Sequence, residues 1–209
     1  PQIDLANEHL IRSHMNAIWL AESHLSLGSS LGDIIEASPE SPKLELKPSV
    51  LDTLENKEIR ERAFKEAEKV LATIADYLKD SIWYNPDWLL EVFNQLPQQF
   101  EDACERWRSL YRAALRQQMI QNKIILDSSR SPKDRKKAEA LRKEAETQLA
   151  LLNSKEGAIH SDFYSYRYFA SEGFLPGYNF PRLPISAFIP GRMVKDSKDE
   201  YLSRPRFLA

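Results

Sequence analysis

Apolar residues recur at three- and four-residue spacing through most of the first 153 positions, with polar residues between them. That is the pattern of helices that each bury one face. Leu10, Ile11, Met15, Ile18 and Trp19 trace such a face and predict a helix over 4–25, with Asp4 or Asn7 placed to cap it. Gly28 and Gly32 then loosen the chain, and Leu31, Ile34 and Ile35 predict one short helix before Pro39. Residues 38–48 hold Pro39, Pro42 and Pro48 and read as a surface loop with a brief extended piece. Ile59, Ala63, Ala67, Val70, Leu71, Ile74 and Leu78 predict a helix over 57–80 with Asn56 as its cap. In the aromatic stretch 82–88, Asn85-Pro86 ends one element and starts the next. A short helix is expected at 87–95, then a long one over 98–127 with Phe100, Ala103, Cys104, Trp107, Leu110, Tyr111 and Ala114 on its apolar face.

Ser131-Pro132-Lys133-Asp134 is a helix start: serine caps, proline takes the first helical position, and an acid stands three residues past the cap. The helix to 153 carries a narrow seam of Ala138, Leu141, Ala145, Leu149 and Leu152, suited to antiparallel packing on the 98–127 helix through a turn at 128–131. Beyond Gly157 the composition changes. Phe163, Tyr164, Tyr166, Tyr168 and Phe169 cluster, and glycines and prolines between Gly173 and Gly191 exclude a long helix. Leu183–Ile189 reads as a strand and Val194–Glu200 as a charged loop. The expected fold is therefore mainly α: a helical bundle built on a long antiparallel hairpin, 98–153, with an irregular C-terminal tail containing one or two short strands. The expected division is a helical domain over 1–156 and a tail over 157–209 that belongs to, or docks on, a neighbouring domain.

Composition adds little to that picture. Of 209 residues, 42% are hydrophobic and 29% charged, enough to bury a core. The single cysteine, Cys104, excludes an intrachain disulfide and fits a cytoplasmic setting. No apolar run is long enough to span a membrane, and the first residues lack the features of a secretory leader. A start at Pro1 and an end inside Phe207-Leu208-Ala209 suggest a piece of a longer protein.

No catalytic constellation emerges. The six glycines form no phosphate-binding loop. Asp199-Glu200 shares only two letters with the acidic box of helicases and follows a lysine-containing loop. His9 and His14 fall on different helix faces, and neither His24 nor His160 completes a metal motif. Cys104 lies on an apolar face and reads as an inert core thiol. Asp33 with Glu45-Leu46-Lys47 imitates a nuclease acid-x-lysine pair, but prolines stand where that motif needs paired strands. The chain itself is expected to be neither an enzyme nor a holder of metal or cofactor.

Charge is more informative. Residues 106–143 carry twelve cations and three acids, a net of +9, so the other residues carry −11. On a helix of about 100° per residue, Arg108, Arg112, Arg116 and Lys123 cluster opposite Trp107, Tyr111 and Ala114. They are the first candidate nucleic-acid contacts; Arg135, Lys136, Lys137, Arg142 and Lys143 are the second. An anionic partner such as a phosphate backbone relieves a one-sign stripe. Acids of the 57–80 helix (Glu58, Glu61, Glu66, Glu68) offer an internal alternative, and an acidic protein surface a third. Tyr164, Tyr166, Arg167 and Tyr168 have base-stacking chemistry, but such a cluster serves more often as core or interface.

Two stretches carry a resemblance. Pro1-Gln2-Ile3-Asp4-Leu5-Ala6-Asn7-Glu8-His9-Leu10-Ile11-Arg12-Ser13-His14, with Ala17-Ile18-Trp19-Leu20-Ala21, is one. Tyr166-Arg167-Tyr168-Phe169-Ala170-Ser171-Glu172-Gly173-Phe174-Leu175-Pro176-Gly177-Tyr178-Asn179-Phe180-Pro181-Arg182-Leu183-Pro184, with Leu202-Ser203-Arg204-Pro205-Arg206-Phe207-Leu208-Ala209, is the other. Both resemble the region after the second motor lobe of large bacterial superfamily-two DEAD/DEAH-type helicases, among them the helicase subunit of the DISARM phage-defence system. The middle, 28–157, has no position-by-position match. The resemblance implies a parent that uses ATP and Mg to translocate on or remodel nucleic acid, with those motifs outside this chain and no catalytic residue to carry over. It implies a helical accessory region whose partners are DNA, the motor lobes and a possible partner subunit. A pure protein-interaction module with no nucleic-acid role is the competing expectation.

Overall fold

The computed structural model describes residues 7–37, 43–153 and 164–177. Seven α-helices lie among them: α1 Glu8–Ser23, α2 Pro48–Glu55, α3 Lys57–Thr73, α4 Ala75–Leu78, α5 Trp88–Leu126, α6 Pro132–Leu152 and α7 Ser165–Ser171. A 3-10 turn covers Leu31–Asp33. The described residues contain no strand, only an isolated antiparallel bridge between Ile35 and Leu46. The fold is mainly α. The expected strand at 183–189, the charged loop at 194–200 and the composition change at Gly157 lie outside the described residues.

Local chemistry explains the helix starts. The Asn7 side chain accepts a hydrogen bond from the Leu10 amide at 3.1 Å, and Asn56 does the same for Ile59 at 3.1 Å. At α6 the Ser131 hydroxyl accepts from the Asp134 amide at 3.1 Å and donates to its carboxylate at 2.7 Å, with Pro132 in the first turn.

Three boundaries differ from the sequence reading. Pro48 opens α2 rather than closing a loop, because proline suits the first helical turn. The expected 57–80 helix breaks at Ile74, and Val70 on its apolar face is exposed. The helices expected at 87–95 and 98–127 are one helix of 39 residues with Pro97 inside it. Proline removes one backbone donor and crowds the preceding turn. Here Leu89, Val92, Phe93 and Leu96 before it, and Phe100, Ala103, Cys104 and Trp107 after it, are all buried. Burial on both sides keeps the helix going.

The chain divides into two compact units. The first comprises, of the described residues, 7–37, 43–110, 151–153 and 164–177. In it α1 packs against α3, and Trp19 of α1 meets Phe100 of α5 edge-on at 6.2 Å. Phe100 also contacts Phe169 at 4.8 Å and Phe174 at 5.3 Å. The Tyr168 hydroxyl donates to the Ala103 carbonyl at 2.8 Å and accepts from the Trp107 amide at 2.9 Å, the two ends of one rung of α5. Of the aromatic cluster that the sequence assigns to core or interface more readily than to base stacking, Tyr168 and Phe169 are core residues with no solvent exposure. Residues 164–177 belong to the first unit.

The second unit comprises, of the described residues, 111–150, the distal parts of α5 and α6 with their turn. Gln118 bonds Glu146 at 3.4 Å, and Asn122 accepts from Arg142 at 3.5 Å. Four residues up α5 match four residues down α6, so the pair is an antiparallel hairpin. Ala114, Ala138 and Ala145 are buried in this unit. In the turn, Ser129 donates through hydroxyl and amide to Asp127, which holds that carboxyl below its usual range.

Candidate functional site

Arg108 is not on the surface. It is only 7% exposed, lying in the first unit. Its Nε donates to the Leu44 carbonyl at 2.7 Å, and its Nη atoms pair with Glu101 at 2.6 Å and Glu105 at 3.6 Å. Leu44 adopts a left-handed backbone, φ 59°, a costly conformation for a branched residue. The guanidinium, with its fork of donors, joins that carbonyl to two carboxylates of its own helix. The expectation that Arg108 points outward is thus corrected. It sits on the edge of the buried arc, and the neutralising acids come from α5 itself, one and two turns earlier, rather than from α3.

The other first candidates lie in the hairpin. Arg112, Arg116 and Lys123 are exposed and fall within about 40° of one another around α5. Met119 at 55% and Leu126 at 83% exposure share that side of the helix. The apolar face read from the sequence ends at Ala114 and includes neither.

The cations of α6 are dispersed. Arg135 and Arg142 are half-buried on the flank next to Asn122 of α5, and Arg142 also meets Glu146 at 3.4 Å. Lys136 and Lys143 are exposed on the side of α6 away from its buried alanines, and Lys137 is exposed on the opposite flank. Residues 111–150 hold ten cations and five acids, a net of +5. The hairpin is therefore basic around its girth, and only Arg112, Arg116 and Lys123 form a row.

The remaining constellations are accounted for by local roles. Asp33 accepts from the Ser29 and Ser30 amides at 2.9 and 3.2 Å, and Lys47 donates to the Asp33 carbonyl at 2.8 Å. Glu45 is exposed and bonds through its backbone to Glu36. Gly28, at φ 68°, permits this turn; a Cβ there would clash with Asp33. His14 is half-buried with its Nδ1 2.7 Å from the Leu10 carbonyl. Cys104 is buried, and desolvation pushes its thiol up to about 12, as suits an inert core residue. Glu8 is held below the usual carboxylate range by hydrogen bonds from Arg12 and then Trp88.

A cleft of about 260 Å³ in the first unit is lined by Arg12, Gln99, Asp102, Glu172 and Phe174, among others. Its charged groups already have partners: Glu8 for Arg12, Gln98 for Asp102 and Arg106 for Glu172. Among the described residues no group of three or more His, Cys, Asp or Glu is placed to hold a metal ion, and no helix is long and apolar enough to cross a membrane. No protein-family model, curated protein or solved structure matches the chain.

Proposed function

We propose that the chain is a non-catalytic helical-bundle accessory region of a bacterial ATP-dependent DNA helicase or translocase in the cytoplasm, and that its hairpin is a docking arm for an acidic protein surface, such as a motor lobe or partner subunit. The helicase setting rests on the resemblance of the two end stretches, and phage defence is one context in which such parents act. A phosphate-binding loop and an acidic box encoded upstream in the parent gene are its expected signature.

The observation that carries the docking reading is the mixed row on α5. Arg112, Arg116 and Lys123 alternate with exposed Met119 and Leu126. Protein interfaces combine an apolar centre with a charged surround, whereas phosphate contacts are made by cations and polar donors.

The net +5 of residues 111–150 favours a second reading, in which the hairpin contacts a nucleic-acid backbone. Arg112, Arg116, Lys123, Arg135, Lys136, Lys137, Arg142 and Lys143 are then the contacts, and Arg108 is withdrawn. Anisotropy of labelled single- and double-stranded DNA across a salt series separates the two. The docking reading expects no binding at low salt. A linear fall of log affinity with log salt, and a drop on changing Arg112, Arg116 and Lys123 to Ala, establishes the second.

A further inference from the structure

We infer that the exposed flank of α5 in the hairpin is an unfilled coiled-coil seam whose occupant is an acidic amphipathic helix of a protein partner. This rests on the docking reading above and names the partner's chemistry.

Leu115, Met119, Asn122 and Leu126 follow one another at spacings of four, three and four residues, the interval of the two inward positions of a heptad. Leu115 and Asn122 are half-buried, while Met119 is 55% and Leu126 83% exposed. Arg112 continues the same line one step earlier. Arg116 and Lys123 stand seven residues apart, each one place after a seam residue, at the flanking positions that select a coiled-coil partner by charge. Farther round the same helix segment Ala114 and Gln121 are buried in its own core, and Tyr111 is buried at the seam's inner edge. One arc of α5 is thus filled and the neighbouring one shows an apolar seam with cationic edges.

Charge decides the occupant. A helix with apolar residues at its own seam and Glu or Asp at its flanking positions covers Met119 and Leu126 and faces Arg116 and Lys123 with opposite charge. A second copy of this flank does not fit. Packed antiparallel it sets cations opposite cations, and packed parallel it sets Arg112 against Arg112. Asn122, already accepting from Arg142 at 3.5 Å, gives the seam a polar position of the kind that fixes register.

The test uses the whole chain and a fluorescently labelled three-heptad peptide with Leu at its seam and Glu at its flanks. A peptide with Lys at the flanks, polyglutamate and a single-stranded oligodeoxynucleotide serve as comparators. The acidic peptide is expected to bind and gain helical circular dichroism, and the lysine peptide to bind at least about tenfold more weakly. Met119→Ser with Leu126→Ser changes only exposed side chains and is expected to weaken the acidic peptide by about tenfold or more. Arg116→Glu with Lys123→Glu is expected to transfer binding to the lysine peptide. Acidic-peptide binding unchanged by the two serines overturns the seam, as does a chain dimer that those serines abolish. Equal binding of polyglutamate and peptide removes the helix while leaving an acidic docking partner. Salt-dependent oligonucleotide binding with neither acidic probe bound removes the docking reading itself.

Discussion

Arg108 and Arg116 sit two turns apart on one helix, and they do opposite things. In the first unit Arg108 is held by a loop carbonyl and two carboxylates. In the hairpin Arg116 is exposed. Residue type and helix periodicity are the same for both; the surroundings differ. The first unit gathers its core from distant parts of the chain, with Leu44, Trp19, Phe100, Phe169 and Phe174 all buried. The hairpin is made of two neighbouring helices, and between Tyr111 and Ala150 it buries Tyr111, Gln121 and the alanines Ala114, Ala138 and Ala145. Arg108, beside a many-sided core, is recruited to close it, whereas Arg116, on a two-helix arm, stays exposed.

The largest effect that tests this contrast is Arg108→Ala. It strands the Leu44 carbonyl and removes the partner of Glu101, which is itself part-exposed, so about 3 kcal/mol of stability should be lost, read by urea unfolding. A loss below about 0.5 kcal/mol would make Arg108 equivalent to its exposed neighbours and erase the distinction.

Tyr168→Phe comes next. It removes one hydroxyl from the Ala103–Trp107 rung, whose two backbone groups are then free to pair with each other, so about 1–2 kcal/mol is expected. Burial pushes Tyr168 up to about 12 from 10.0 and Cys104 up to about 12 from 9.0. Both are neutral when protonated, so the folded state keeps a proton that the unfolded chain has already released. Stability is full below the unfolded values and falls as pH rises toward 12, by about 1.4 kcal/mol per pH unit per group. Urea midpoints between pH 8 and 11 should decline in the parent chain and less steeply in Tyr168→Phe; equal slopes would show that the hydroxyl is not shielded.

In the hairpin, Ser131→Ala should lower stability by about 1 kcal/mol through loss of the cap, measurable by thermal unfolding. Smallest of all, Arg116→Ala with Lys123→Ala should shift stability by less than about 0.5 kcal/mol. A clear destabilisation by that pair would mean that these side chains are structural after all.

The sequence made the hairpin and its caps legible because those features are local. Asn7, Asn56 and Ser131-Pro132 each act within three residues of themselves. What it concealed depends on partners far along the chain. Arg108 reaches Leu44 across 64 positions, and its acids Glu101 and Glu105 lie just before the segment counted as net basic. Tyr168 meets Trp107 across 61 positions, so the sequence left open whether its aromatic neighbourhood is core or interface. The gap expected between 95 and 98 falls at Pro97, which local propensity opposes in a helix, while burial on both sides of it decides the outcome. The candidate row was half legible: the charges of Arg112, Arg116 and Lys123 were countable, but the exposure of Met119 and Leu126 beside them was not.

The hydroxyl of Tyr168 also fixes an order of events. Local pairings close early and distant ones late, since a longer loop must first be brought together. As the chain leaves the ribosome, α5 emerges whole well before its own Ala103–Trp107 rung meets the side chain that bridges it. The two hairpin helices can pair as soon as residue 152 is out, whereas the rung of α5 in the first unit waits for Tyr168.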